Sequence, residues 1–222
     1  MSLFEYAHPE VLVDTQWVVD HLTDPNVRLV EVDMSPQAYN AGHIPGAIFW
    51  GGSDLLLPDQ RINFDPSALE KLLARSGIAN DTTVVAYGSH LAVGGWIFWL
   101  LNVFGHRNVR VLNGGRQKWI AEGRPLTSEP TLVSPTDYHA QASDPSLRAL
   151  RGYVQESIER VDRVLLDVRT PQEYSGEWFM TQPPQGIERA GHIPSAVHVG
   201  YELAHNDDGT FKPVDALQSL YS

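Results

Sequence analysis

The chain has 222 residues, 42% hydrophobic and 19% charged, a composition that belongs to a folded globular protein of one or two domains. Its formal charge is −11 with no basic stripe, which argues against a nucleic-acid partner. It has no cysteine, so disulfides, thiolate metal sites and thiol catalysis are excluded within these 222 residues. The opening MSLFEYAHPEVLV carries no charged leader and no sustained apolar run, and no segment approaches the length of a membrane span. The expectation is a soluble cytoplasmic protein without membrane contact.

In chain order, Asp14 caps a helix predicted over 15–22, and a strand at 28–32 follows. A helical turn near 36–41 leads into GHIPGA and a short strand at 47–49. Asp65 and Pro66 are the cap and first residue of a helix over 66–75 that stops at Gly77. The next strand, 82–87, runs into VVAYGSHLAVGGW (84–96). This is strand, loop and helix, a layout that aims a nucleophile or cradles an anion at a helix N-terminus. Helix 92–104 is apolar on nearly every side, which predicts burial against a second domain as well as its own sheet. Gly94 and Gly95 would allow close backbone approach there, and Gly105 ends the helix. Strand 109–112 and helix 115–121 precede a stop at Gly123. Short apolar strands alternating with helices predict an α/β fold, a parallel sheet flanked by helices.

The chain repeats itself. AGHIPGA (41–47) and AGHIPSA (190–196) agree at six of seven positions, and RLVEVD (28–33) resembles RVLLDV (163–168). Glu31 and Asp167 are 136 positions apart and His43 and His192 are 149 apart, so the second copy carries 13 extra residues, read as GEWFMTQPPQGIE. Between the copies lies a stretch rich in Pro, Ser and Thr. It reads as a linker over 125–136, dividing a first domain at 1–124 from a second at 137–222.

Duplicated GHIP segments after acid-ending strands, with Tyr39 a turn before His43, resemble the two-domain rhodaneses, the thiosulfate and 3-mercaptopyruvate sulfurtransferases. NGGRQKWIAEGRPLT (113–127) and NDDGTFKPVDALQSLY (206–221) are similar to further segments of that family. The resemblance implies tandem rhodanese-like domains, the first catalytically silent. It also implies a cysteine on the strand-to-helix loop of the second, which takes sulfane sulfur from thiosulfate and passes it to cyanide or another thiophile. Backbone N–H groups and the helix N-terminus would stabilise such a thiolate or persulfide. No cofactor is implied, only a small-molecule sulfur donor and a thiophilic acceptor.

By the repeat, Gly88 occupies the nucleophile's position in the first domain, and the expected cysteine lies beyond Ser222, leaving the second domain incomplete. Residues 164–168 would then expose an unpaired edge and an apolar face. Ser89 and His90 follow Gly88 but make a weak hydrolytic pair, since adjacent residues rarely converge as nucleophile and base. Asp167 and Arg169, at the ligand edge of a parallel strand, read either as support for an active-site loop or as a plain ion pair. His43 and His192 stand in identical segments of both copies and read as structural. The histidines show no metal-ligand spacing, and Arg116 and Lys118 read as solvated charges. The alternative to a sulfurtransferase is a non-catalytic rhodanese-like binding or regulatory module.

Overall fold

A computed structural model describes residues 6–222. It divides into two compact units, one made of the chain up to Leu147 with Asp207–Thr210, the other of Arg148–Asn206 with Phe211–Ser222.

The first unit contains, in order, β1 (Leu12–Val13), α1 (Thr15–Asp20), β2 (Val27–Asp33), α2 (Gln37–Ala41), β3 (Ile48–Gly51), α3 (Gly52–Leu55), α4 (Pro66–Arg75), β4 (Thr83–Tyr87), α5 (Val93–Val103), β5 (Val109–Leu112) and α6 (Gly115–Ala121). The sheet is parallel throughout, in the order β1-β5-β4-β2-β3. Two-residue alternation sorts its side chains to opposite faces. Val30, Val32, Val84 and Ala86 pack with Leu72 and Leu73 of α4 and with Ile97 and Leu101 of α5. Leu29, Val85 and Tyr87 pack with Val18 of α1 and Trp119 of α6. Glu31 shares the parity of Leu29, so the strand aims it at the α6 face.

Most predicted elements stand at their places. Asp14 accepts from the Trp17 amide and Asp65 from the Ser67 amide, the caps expected of them. β1 and α3 have no counterpart in the sequence reading: two and four residues are too short for periodicity to register. Of the paired glycines in α5, only Gly94 meets the sheet. A Cβ there would lie 2.6 Å from Val111 Cγ1 and 3.2 Å from the Ala86 carbonyl, whereas one on Gly95 would meet nothing within 4 Å. The expected linker lies along the first unit. Thr127 exchanges backbone hydrogen bonds with His43, Trp119 Nε1 donates to the Pro125 carbonyl, and the Thr136 amide and hydroxyl bond to Ala74 and Ile78. Prolines keep this stretch extended, and its polar backbone finds partners on the unit it crosses.

The second unit contains α7 (Arg151–Ser157), β6 (Leu166–Asp167), α8 (Pro171–Ser175), β7 (Val197–His198) and α9 (Val214–Tyr221). β6 and β7 pair in parallel, with Asp167 opposite His198 as Glu31 stands opposite Phe49 in the first unit. The bridge Leu56–Ile62 recurs as His205–Phe211, at the spacing of the two GHIP histidines. The duplication therefore extends past the matched segments. Among the described residues β6 has one neighbour where β2 has two, and burial follows. Val30 and Val32 are 0% and 3% exposed, while their counterparts Leu166 and Val168 are 43% and 44% exposed.

Two outcomes follow from this packing. Amide hydrogen exchange, followed by mass spectrometry, is expected to be slower across 28–112 than across 150–222. Gly94→Ala should destabilise by about 1–3 kcal/mol in urea melts through overpacking on Val111, while Gly95→Ala should be neutral or stabilise by up to about 1 kcal/mol.

Candidate functional site

Both units place an acid at the C-terminal end of a parallel strand, beside a GHIP loop, and both neutralise it with an arginine. In the first unit Glu31 is fully buried, and Arg116 Nη1 donates to its two oxygens at 2.8 and 3.0 Å. Arg116 Nη2 donates to the Ala38 carbonyl at 3.0 Å and to that of Gly42, the glycine of the GHIP loop. The Tyr87 hydroxyl adds a bond to Glu31 at 2.8 Å. One guanidinium thus ties β2, α2, the GHIP loop and α6 together. Burial pushes the Glu31 carboxyl up, and the Tyr87 hydroxyl and Arg116 draw it part of the way back.

Arg116 is therefore not the solvated charge expected from sequence. Its position i with Trp119 at i+3 puts both on one helix face, and Trp119 is wholly buried; that spacing was the available signal. Lys118 also has partners, Glu122 and Asp208, at 3.4 and 2.9 Å. α6 reaches Glu31 because Gly114 and Gly115 take φ of 88° and 53°, a tight entry that side chains resist.

In the second unit the arginine comes from the strand end itself. Arg169 grips Asp167 with two side-chain bonds, Nε at 3.0 Å and Nη2 at 2.6 Å, and donates to the carbonyl of Gly191, the counterpart of Gly42, at 2.9 Å. This hydrogen bonding holds the Asp167 carboxyl below its usual range. The second unit reproduces the first unit's contacts, acid and GHIP carbonyl, with an arginine from a different place in the chain.

The histidines repeat with their tyrosines. His43 stacks on Tyr39 with ring centroids 3.8 Å apart, and its Nδ1 meets the Tyr39 carbonyl at 3.0 Å. His192 stacks on Tyr174 at 3.8 Å, and its Nδ1 meets the Tyr174 carbonyl at 2.8 Å. Each tyrosine hydroxyl then closes the loop, Tyr39 onto Ala47 at 2.8 Å and Tyr174 onto Ala196 at 2.9 Å. Tyr39 and Tyr174 are 135 positions apart, so one residue is missing before the second tyrosine and 14 are added after it, one more than the sequence comparison assigned. His43 is buried and His192 exposed.

The stretch VVAYGSHLAVGGW joins the same cluster. Tyr87, its last strand residue, bonds Glu31, and Gly88 follows. A Cβ at Gly88 would lie 2.3 Å from the Val32 carbonyl oxygen and 2.7 Å from Val93 Cγ1. The Gly88 carbonyl also accepts from the Arg116 amide at 3.4 Å. No side chain fits at Gly88 unless the backbone moves. Ser89 and His90 are exposed beside it.

A parallel α/β unit with a GHIP loop clamped to a strand-end acid, occurring twice, defines the class. The chain matches the description "Rhodanese-like domain" over residues 14–122 and 150–220, and it belongs to that family. It is 47% identical over 224 residues to the sulfur carrier protein TtuD of Thermus thermophilus, an alignment covering 97% of this chain and 78% of that protein. It is 40% identical to a putative thiosulfate sulfurtransferase of Saccharopolyspora erythraea, covering 97% and 77%. Among solved structures, an anaerobic ergothioneine biosynthesis enzyme of Chlorobium limicola superposes with a TM-score of 0.81 at 25% identity; the alignment covers 97% of this chain and 58% of that one. The 3-mercaptopyruvate sulfurtransferase of Escherichia coli shares the fold, with a TM-score of 0.80 at 22% identity over 95% and 82% of the two chains. No described helix is long and apolar enough to cross a membrane.

The buried pair gives a test with a pH signature. Arg116→Met leaves Glu31 buried without its cation and should cost about 3–5 kcal/mol at pH about 8 in urea melts. Glu31 already has a raised folded pKa, so its contribution to stability is greatest below the unfolded value and declines as pH rises through the folded one. Removing Arg116 raises it further, so the deficit should shrink as the pH is lowered and Glu31 takes up its proton.

Proposed function

We propose that this chain is the nucleophile-free portion of a two-domain sulfurtransferase, and that the sulfur-handling cysteine sits on polypeptide outside residues 1–222. The observation that carries the reading is the duplicated GHIP loop clamped to a strand-end acid, in a chain of the rhodanese-like family without cysteine. In the proposed reaction a cysteine thiolate attacks the outer sulfur of thiosulfate. The S–S bond breaks, sulfite leaves with the electron pair, and the resulting persulfide passes its terminal sulfur to a thiophile such as cyanide, giving thiocyanate. The similarity to a protein named as a sulfur carrier supports transfer of bound sulfur to an acceptor. We assign the activity to the cytoplasm, where thiophilic acceptors stay reduced.

In this reading Asp167 and Arg169 support the second domain's reactive loop by holding the GHIP backbone at Gly191, and His43 and His192 have structural roles. The domain limits remain those proposed from sequence, 1–124 and 137–222 with the segment between joining them.

Thiocyanate formation from thiosulfate and cyanide should be absent for the 222-residue chain and present for a polypeptide that continues past Ser222 through a cysteine loop. Turnover by the 222-residue chain would overturn the assignment of the nucleophile. A stop codon directly after Ser222 would favour the binding-module reading instead.

A further inference from the structure

The second unit differs from the first at the residue facing the strand-end acid. Phe49 faces Glu31 across the β2–β3 ladder, and His198 faces Asp167 across the β6–β7 ladder. Phe49 makes a tilted ring contact with Tyr39 at 5.4 Å. His198 keeps a ring contact, stacking on Tyr174 at 4.7 Å, so that Tyr174 contacts both His192 and His198. It also gains something a phenyl ring lacks: its Nε2 lies 2.8 Å from the Arg169 carbonyl. A carbonyl only accepts, so Nε2 carries the proton.

This bond falls where the second unit needs it. Arg116 comes to Glu31 from a distant helix, and nothing about the β2 end has to bend. Arg169 lies two residues beyond Asp167 and must fold back on it, which sets the backbone between them: the Arg169 amide donates to Asp167 Oδ1 at 3.1 Å. The Arg169 carbonyl at the outer side of that turn is the group His198 holds.

We propose that His198 is a positioning residue of the second unit: its Nε2–H fixes the Arg169 turn, and through it the Asp167–Arg169 clamp on the GHIP loop. The exchange of phenylalanine for histidine between the copies accompanies the change in where the arginine comes from. The functional importance of the clamp rests on the sulfur-transfer reading, but the hydrogen bond and its effect can be read without turnover.

The experiment is NMR on the 222-residue chain. In the wild type at neutral pH, ring ¹⁵N shifts should report a proton on Nε2 of His198; a neutral ring protonated only at Nδ1 overturns the proposal. Solvent exchange of the Arg169 Nε–H should be about fivefold faster in His198→Phe, the first unit's residue, for loss of one hydrogen bond. In His198→Gln, whose Nε2–H reaches the place of the imidazole's, it should stay within about twofold of wild type. If the histidine serves only to pack, the phenylalanine variant keeps wild-type exchange and the glutamine variant does not, and either result sinks the idea. Should His198→Phe unfold the second unit, the glutamine variant and the wild-type ring shifts decide.

Discussion

A carboxylate buried at the end of a parallel strand must have a cation, and the first unit is organised around supplying one to Glu31. A lone ionised carboxylate taken from water costs several kcal/mol, and a well-aligned guanidinium with further hydrogen bonds offsets it. Arg116 directs its Nη2 donors to the Ala38 and Gly42 carbonyls, so the charge pair also sets the path of the GHIP loop. The two left-handed glycines at the start of α6, the face shared by Arg116 and Trp119, and Tyr87 at the end of β4 all answer to that one demand.

The second unit answers the same demand by another route. Its acid is the shorter Asp167, and its arginine sits two residues further on, just past the end of β6. The clamp is local, built from Asp167, Arg169 and Gly191, with His198 beside it. Duplicated domains are free to diverge in this way because what must persist is the set of contacts, an acid neutralised and a loop carbonyl held, rather than the chain position that supplies them. The Tyr–His stack, by contrast, is kept in both units together with its hydroxyl closure, although one histidine is buried and the other exposed. Its hydrogen bonds are to backbone carbonyls of its own segment, so they persist whether or not the histidine is covered.

At the end of strand β4 the Val32 carbonyl and Val93 occupy the space that a side chain at Gly88 would need. The loop serves as a packing element, and its carbonyl as an acceptor for the first turn of α6.

The helices with caps, the central strands, the parallel α/β class and the duplication were legible in the chain, because each is a local pattern: periodicity, an Asp–Pro start, a glycine stop, a repeated heptapeptide. β1 and α3 were not, being too short to show a period. That the Pro-rich stretch lies against the first unit was not legible, since composition reports backbone stiffness but not which surface satisfies its polar groups. The partners in the clamp were decided by tertiary structure alone. Glu31 and Arg116 are 85 residues apart, and only the pairing of β2 with β4 and the return of α6 across that face bring them into contact. Asp167 and Arg169, two residues apart, could be matched by eye; their hold on Gly191 could not, because it requires the β6–β7 ladder to set the GHIP loop beside the strand end.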